Sequence, residues 1–310
     1  MTAFAYLSES TFLKVGQPSA NARPFGIAGI AWDGSTTNRP GARFGPRAIR
    51  EASHMLCDGT HPVFDCSPVG QLDDLGDLAL PNTSIEAMRG VLAQQLPGLL
   101  AQRHMAWLGG DHSVTLPILR ALKAQCGRPL AVIHFDAHCD TWPDHFGEKS
   151  GHGTWVYEAM QEGLVVDACF TQIGIRSAAE RSAREYVSDR GGLIYTARAL
   201  RGCESPAQLA DVVGAIGQRL ARHGHPPVYI SLDIDCLDPA FAPGTGTPEP
   251  GGMGSGQVLS LLEAFAGFDC VGMDCVEVAP AYDHAELTSN AASAFVWTYL
   301  SGQIAKLARP

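Results

Sequence analysis

The chain has 310 residues, of which 45% are hydrophobic and 17% charged, enough apolar material for a large core. Its formal net charge of −10 argues against nucleic acid or an anionic membrane as partner, since both select basic surfaces. Nine cysteines suggest a disulfide framework at first sight. Their number is odd, the chain is long and MTAFAYLSESTFLKV is no secretory signal, so reduced thiols and a cytoplasmic location are expected. No stretch has the ~20 apolar residues of a membrane helix.

In chain order, residues 1–24 show no clear period and read as an N-terminal arm. Residues 25–310 then read as one domain in which β-rich runs alternate with helical segments. Strands are expected at 25–32, 104–110, 129–138, 170–176, 191–197, 227–235 and 268–278. Helices are expected near 46–56, 84–103, 114–126, 153–163, 206–223, 255–266 and 288–307. Strands that are continuous apolar runs between helix-length segments indicate a parallel sheet covered on both faces. In such sheets sites form at the carboxyl ends of the strands.

The chemically loaded residues sit at those ends. Asp136, His138 and Asp140 follow the strand LAVIHF at alternate positions, so their side chains project to one side. Asp233 and Asp235 repeat the pattern in SLDID, and His112 follows the strand-ending pair Gly109-Gly110, read as a sharp backbone turn. Four carboxylates converging without compensation would repel and raise one another's pKa. Two divalent cations remove that cost, and four oxygen donors with two imidazoles suit a pair rather than a single ion. Oxygen-rich ligation favours Mn²⁺ over Zn²⁺, with Ni²⁺, Co²⁺ or Fe²⁺ as substitutes. His134 shares the parity of Asp136 and reads as a core or supporting group. Cys139 and Cys236 read as small buried hydrophobes.

GGDHS (109–113), FDAHCD (135–140) and SLDIDCLDPAFAPGTGTPEPGG (231–252) together resemble the three signatures of the ureohydrolases, the arginase and agmatinase family. The resemblance runs from PGARFGPRAIR (40–50) to VEVAPAYD (276–283). It implies a three-layer α/β/α sandwich around a parallel sheet of about eight strands, and a homo-oligomer, trimer or hexamer. It further implies two Mn²⁺ per subunit. One would be held by His112, Asp136, Asp140 and Asp233, the other by His138, Asp136, Asp233 and Asp235.

The implied reaction is hydrolysis of a small cationic guanidino compound with release of urea. Two ions would lower the pKa of a shared water toward neutrality. Asp140 would accept a hydrogen bond from it and pass its proton to the departing amine. Glu277 matches the family carboxylate that orients the guanidinium, and His152 a histidine that relays protons near the leaving group.

Substrate choice is expected in the loops. Trp142 stands where arginases place a polar residue for the amino-acid head, and a tryptophan suits an alkyl chain or an ammonium instead. PAYDHAELTS (280–289) resembles agmatinases, which makes agmatine the favoured substrate and Asp283 a candidate partner of its distal ammonium, the alternative for Asp283 being a helix-entry cap before Ala285. The loop 144–149 makes the stretch between His138 and His152 two residues longer than in enterobacterial agmatinases. It resembles loops of relatives acting on guanidino acids such as guanidinobutyrate or guanidinopropionate, whose carboxylate Lys149 or Arg43 would meet; guanidine and biguanides are a more remote class. Two other classes carry less: a metal-binding paralogue or subunit without catalysis, and a related binuclear deacetylase with a different ligand set.

Overall fold

A computed structural model of the protein describes residues 10–19, 21–144 and 146–308. These form one all-parallel eight-stranded sheet in the order β2-β1-β3-β8-β7-β4-β5-β6. The strands are β1 (Phe25–Ile30), β2 (Leu72–Asp77), β3 (His104–Gly109), β4 (Leu130–Phe135), β5 (Val165–Ile175), β6 (Leu193–Thr196), β7 (Val228–Asp233) and β8 (Cys270–Val276). The helices are α1 (Gly45–Ala52), α2 (Ile85–Leu100), α3 (Thr115–Cys126), α4 (Trp155–Gln161), the short α5 (Arg181–Arg184) and α6 (Tyr186–Asp189), α7 (Pro206–Arg222), α8 (Ser255–Phe265) and α9 (Leu287–Leu307).

The strands carry apolar side chains on both faces because both faces are covered. On β4, Ala131, Ile133 and Phe135 pack with α1, α7, α8 and α9, while Leu130 and Val132 pack with α2, α3, α4 and α6. The result is the expected α/β/α sandwich. His134 and Asp136 continue the second of these two series beyond Val132, so polar groups end up on the face covered by α3 and α4.

Seven of the strands lie where the hydrophobic runs place them; β2 does not announce itself. Leu72-Asp73-Asp74-Leu75-Gly76-Asp77 is too acidic to read as a strand, yet it forms the sheet edge beside β1. Its charges are neutralised from elsewhere in the chain. Asp73 accepts from Arg103, and Arg50, fully buried, donates to Asp74 at 2.8 and 3.0 Å and also to Asp77. Of the arm, the described part packs onto the domain: Phe12 and Leu13 are buried and their amides donate to Asp74 and Ser53. Among the described residues no helix is long and apolar enough to cross a membrane.

Register sets the stage for the site. Phe135 lies beside Leu232, and Asp233 beside Val276. Asp136 and Asp233 therefore leave β4 and β7 side by side, with the end of β8 next to them.

Candidate metal centre

Three strand ends converge at this point, and close backbone approach is what brings the first of them in. A Cβ on Gly110 would fall 1.6 Å from the Trp32 carbonyl oxygen, and one on Gly109 2.3 Å from Val276. Neither glycine adopts a left-handed φ, so the pair serves tight packing of β3 against its neighbours rather than the sharp turn expected from the sequence. The chain can then present His112 directly over β7 and β4.

The six expected ligands meet. His112 Nδ1 lies 3.1 Å from Asp136 Oδ2, 3.1 Å from Asp233 Oδ2 and 3.4 Å from Asp140 Oδ2. His138 Nδ1 lies 3.2 Å from Asp136 Oδ1 and 3.0 Å from Asp235 Oδ2. Asp136 thus turns one oxygen toward each imidazole, the disposition of a carboxylate shared by two adjacent positive centres. All of these groups are buried except His138, which is partly exposed at the cleft.

Such a cluster is electrostatically uncomfortable without cations. Burial, reinforced by Asp235 and Asp136, holds the Asp233 carboxyl well above its ordinary range. Burial together with the neighbouring Asp136 pushes Asp140 up to about 8. For both imidazoles burial works toward neutrality, but the surrounding carboxylates outweigh it and hold His112 and His138 well above 6.5. Acidic oxygens and two imidazole nitrogens that cannot all adopt their preferred charge form a donor set into which divalent ions would fit.

Glu277 and His152 stand beside this cluster. Glu277 is buried at the end of β8, where its N–H donates to Gly110 O at 2.8 Å. Its Oε1 accepts from the His112 amide at 2.9 Å and pairs with His152 Nδ1 at 3.0 Å. Its Oε2 takes no hydrogen bond from the described residues. Burial lowers the His152 pKa, but the hydrogen bond and charge of Glu277, with Asp111 and Asp140 behind, raise it to about 9. His152 Nε2 contacts Thr37 Oγ1 at 2.9 Å. Glu277 (φ 65°) and Asp140 (φ 53°) both hold left-handed backbone, a conformation costing on the order of 1–3 kcal/mol that survives where surrounding structure imposes it. Asp140 is fixed from the far side by Trp155 Nε1, which donates to its Oδ2 at 2.8 Å.

His138, Asp140, His152 and Asp233 line a cavity of about 210 Å³ together with Trp142, Phe146, Thr37 and Thr247. That is below the roughly 300–1,000 Å³ of sites for drug-sized ligands and suits a small substrate. Trp142 is therefore on the wall of the cleft. Asp283 is not. Its Oδ1 accepts from the His284 and Thr288 amides and the Thr288 hydroxyl, and its Oδ2 from the Ser289 amide and hydroxyl. Five hydrogen bonds commit it to capping the entry of α9, which corrects the assignment of that carboxylate to a substrate ammonium. Arg43 is likewise engaged, its Nε 2.5 Å from Asp33 Oδ1, and is placed to organise the loop ahead of α1. Cys139 and Cys236 are buried, and all nine cysteines are free.

Around the cluster stand supporting groups, of which His134 is legible from its parity with Asp136 and the others are not. His134 Nε2 lies 2.7 Å from Asp136 Oδ2, and its Nδ1 faces the Gln172 amide nitrogen at 3.2 Å. That amide also donates to Cys139 O at 2.8 Å, which fixes its orientation. His134 therefore donates through Nε2 and supports Asp136 instead of ligating. Thr247 Oγ1 reaches Asp235 at 3.2 Å. Ser231, in the SLDID string, and Thr115, just beyond GGDHS, acquire their partner only through strand pairing.

Comparison with known proteins agrees with this geometry. Residues 23–301 match the arginase family. The chain is 40% identical over 278 residues to a Chromobacterium violaceum agmatinase, covering 86% of this chain and 80% of that one. It is 38% identical to the proclavaminate amidinohydrolase of Streptomyces clavuligerus, covering 92% of this chain and 90% of that one. The solved structure of a Streptomyces clavuligerus proclavaminate amidinohydrolase superposes with a TM-score of 0.85 at 36% identity, covering 98% and 99% of the two chains. A Burkholderia thailandensis structure described as a hypothetical agmatinase gives a TM-score of 0.86 at 33% identity, covering 96% and 91%. A strand order, a cleft and a donor set built this way, on a sequence that matches the family over residues 23–301, make the chain a member of the arginase family.

Proposed function

We propose that this protein is a binuclear-metal amidinohydrolase that converts agmatine to putrescine and urea. The observation that carries the reading is the division of Asp136, one oxygen toward His112 and the other toward His138. It supports two metal positions, one among His112, Asp136, Asp140 and Asp233, the other among His138, Asp136, Asp233 and Asp235. Manganese is the ion we assign, because the donors are mostly hard oxygens with one imidazole to each position. When bound, such a pair lowers the pKa of water and makes it a nucleophile at neutral pH.

The chain's own residues do the rest. A guanidinium is a planar, delocalised cation that a carboxylate pairs with well. Glu277 Oε1 is spent on His112 and His152, leaving Oε2 to hold the guanidinium against the cluster. Asp140 is placed to accept a proton from the attacking water. His152, whose proton affinity Glu277 raises, can relay a proton to the departing amine, which otherwise leaves as a poor anion. Trp142 offers its face to the alkyl chain or to the terminal ammonium.

Agmatine is favoured because Trp142 lines the cleft where an amino-acid head would need a polar partner, and because curated relatives such as those of Chromobacterium violaceum and Cronobacter sakazakii are agmatinases. The committed Arg43–Asp33 pair weighs against a guanidino acid. The similarity to proclavaminate amidinohydrolase supports that second reading, with exposed Lys149 as the group to meet a carboxylate. A cytoplasmic homo-oligomer, trimer or hexamer, is the state we assign by family resemblance. Urea release from agmatine, guanidinobutyrate, guanidinopropionate, arginine and guanidine with Mn²⁺ or Ni²⁺ tests the assignment. Agmatine should give the highest kcat/KM; a guanidino acid turned over faster would displace it.

A further inference from the structure

Behind His112, on the face of the sheet covered by α3 and α4, lies a buried carboxylate that no motif pointed to. Asp274 sits on β8 in register with Ser231 on β7, and both are fully buried. Ser231 Oγ donates to Asp274 Oδ1 at 2.7 Å. Asp274 Oδ2 accepts from Thr115 Oγ1 at 2.8 Å and from Tyr229 OH at 2.8 Å. The next contact of Ser231 is His112 Nε2, at 2.8 Å.

The direction of each proton follows from counting. A carboxylate can only accept, and each hydroxyl has one proton. Ser231 spends its proton on Asp274, so its oxygen can only accept from His112. His112 must then carry hydrogen on Nε2, so the nitrogen that gives up its proton when a metal binds is Nδ1, which faces the space among Asp136, Asp140 and Asp233. An imidazole in the other tautomer would point N–H at that space and could not ligate there. We propose that Asp274, acting through Ser231, is a positioning residue that fixes the tautomer of His112 and so aims its Nδ1 at the metal site. This rests on His112 being a metal ligand.

Asp274→Asn tests it with almost no change of shape. Thr115 and Tyr229 both donate on the Oδ2 side, so the asparagine oxygen belongs there and its NH₂ faces Ser231. Ser231 then accepts from the amide and is freed to donate to His112 Nε2, which favours the wrong tautomer. Calorimetric titration of metal-stripped protein with Mn²⁺ should show two sites in the wild type. In Asp274→Asn one of them should weaken by about 10- to 100-fold, the range for lost partners of metal-bound histidines, while the other changes little. Tyr229→Phe, which removes a donor from Asp274 without redirecting Ser231, should bind both ions within about 3-fold of wild type. A merely structural role would lower thermal stability in both variants and leave both metal constants alone. Should Asp274→Asn not fold, Ser231→Ala, which leaves Nε2 without its acceptor, carries the same expectation of one weakened site. Unchanged Mn²⁺ constants in whichever of these folds overturn the proposal. A wild type that binds no pair of ions would instead overturn the functional reading beneath it.

Discussion

Replacing Glu277 by glutamine separates recognition of the guanidinium from everything else in the site. The substitution is isosteric. The amide oxygen can stay at the Oε1 position, keeping the His112 amide bond of 2.9 Å and the His152 contact of 3.0 Å. The NH₂ group then occupies the Oε2 position and opposes the donors of a guanidinium. Losing one partner of a desolvated, hydrogen-bonded charge pair costs about 2–5 kcal/mol. At about 1.4 kcal/mol per factor of ten, that is roughly 30- to 5,000-fold in kcat/KM. Initial rates of urea release against agmatine concentration measure it, with Mn²⁺ titration as the control that should not move. A second readout is built in. His152 titrates at about 9 because the bond and charge of Glu277 outweigh burial, so in Glu277→Gln its midpoint should fall toward or below the ordinary histidine value. Were kcat/KM to stay within threefold while the His152 midpoint fell, the guanidinium would be held by something else.

His152→Asn should lower kcat by about 10²–10⁴-fold, the usual contribution of a placed acid or base, with metal content intact; unchanged turnover would remove His152 from the mechanism. Trp142→Ala removes a cation–π or chain-packing contact of about 0.5–2 kcal/mol. KM for agmatine should therefore rise about 2- to 30-fold with kcat little changed, and an unaltered KM would place the substrate tail elsewhere. Arg50→Leu leaves Asp74 and Asp77 buried without their cation; urea unfolding should show a loss of about 3–5 kcal/mol, and a loss under 1 kcal/mol would mean those carboxylates are readily protonated or solvated.

Much of this was legible in the sequence because the site is built from local pattern. Alternation along an extended chain places Asp136, His138 and Asp140 on one side before any fold is known, and the apolar runs mark the strands that carry them. What escaped depends on partners distant in the chain. β2 is acidic because its charges are balanced by Arg50, Arg103 and Arg23, none of which its own stretch of sequence contains. Of the glycines before His112, Gly110 is required by the backbone of Trp32 and Gly109 by Val276, contacts that only the pairing of β3 with β1 and β8 creates. Asp274 becomes a neighbour of Ser231 only through the register of β8 on β7. Asp283 is different. Its partners Thr288 and Ser289 follow within six residues, so a helix-entry reading was available locally and is the one the structure adopts.

Turnover by this site requires a caged pair of ions, and one measurement tests that directly. Metal-stripped protein is titrated with Mn²⁺ while urea release from agmatine is followed at each addition. Activity should be absent at the start and rise to a plateau at two Mn²⁺ per chain. Urea release from the metal-free protein, or a plateau reached with no manganese bound, would contradict it.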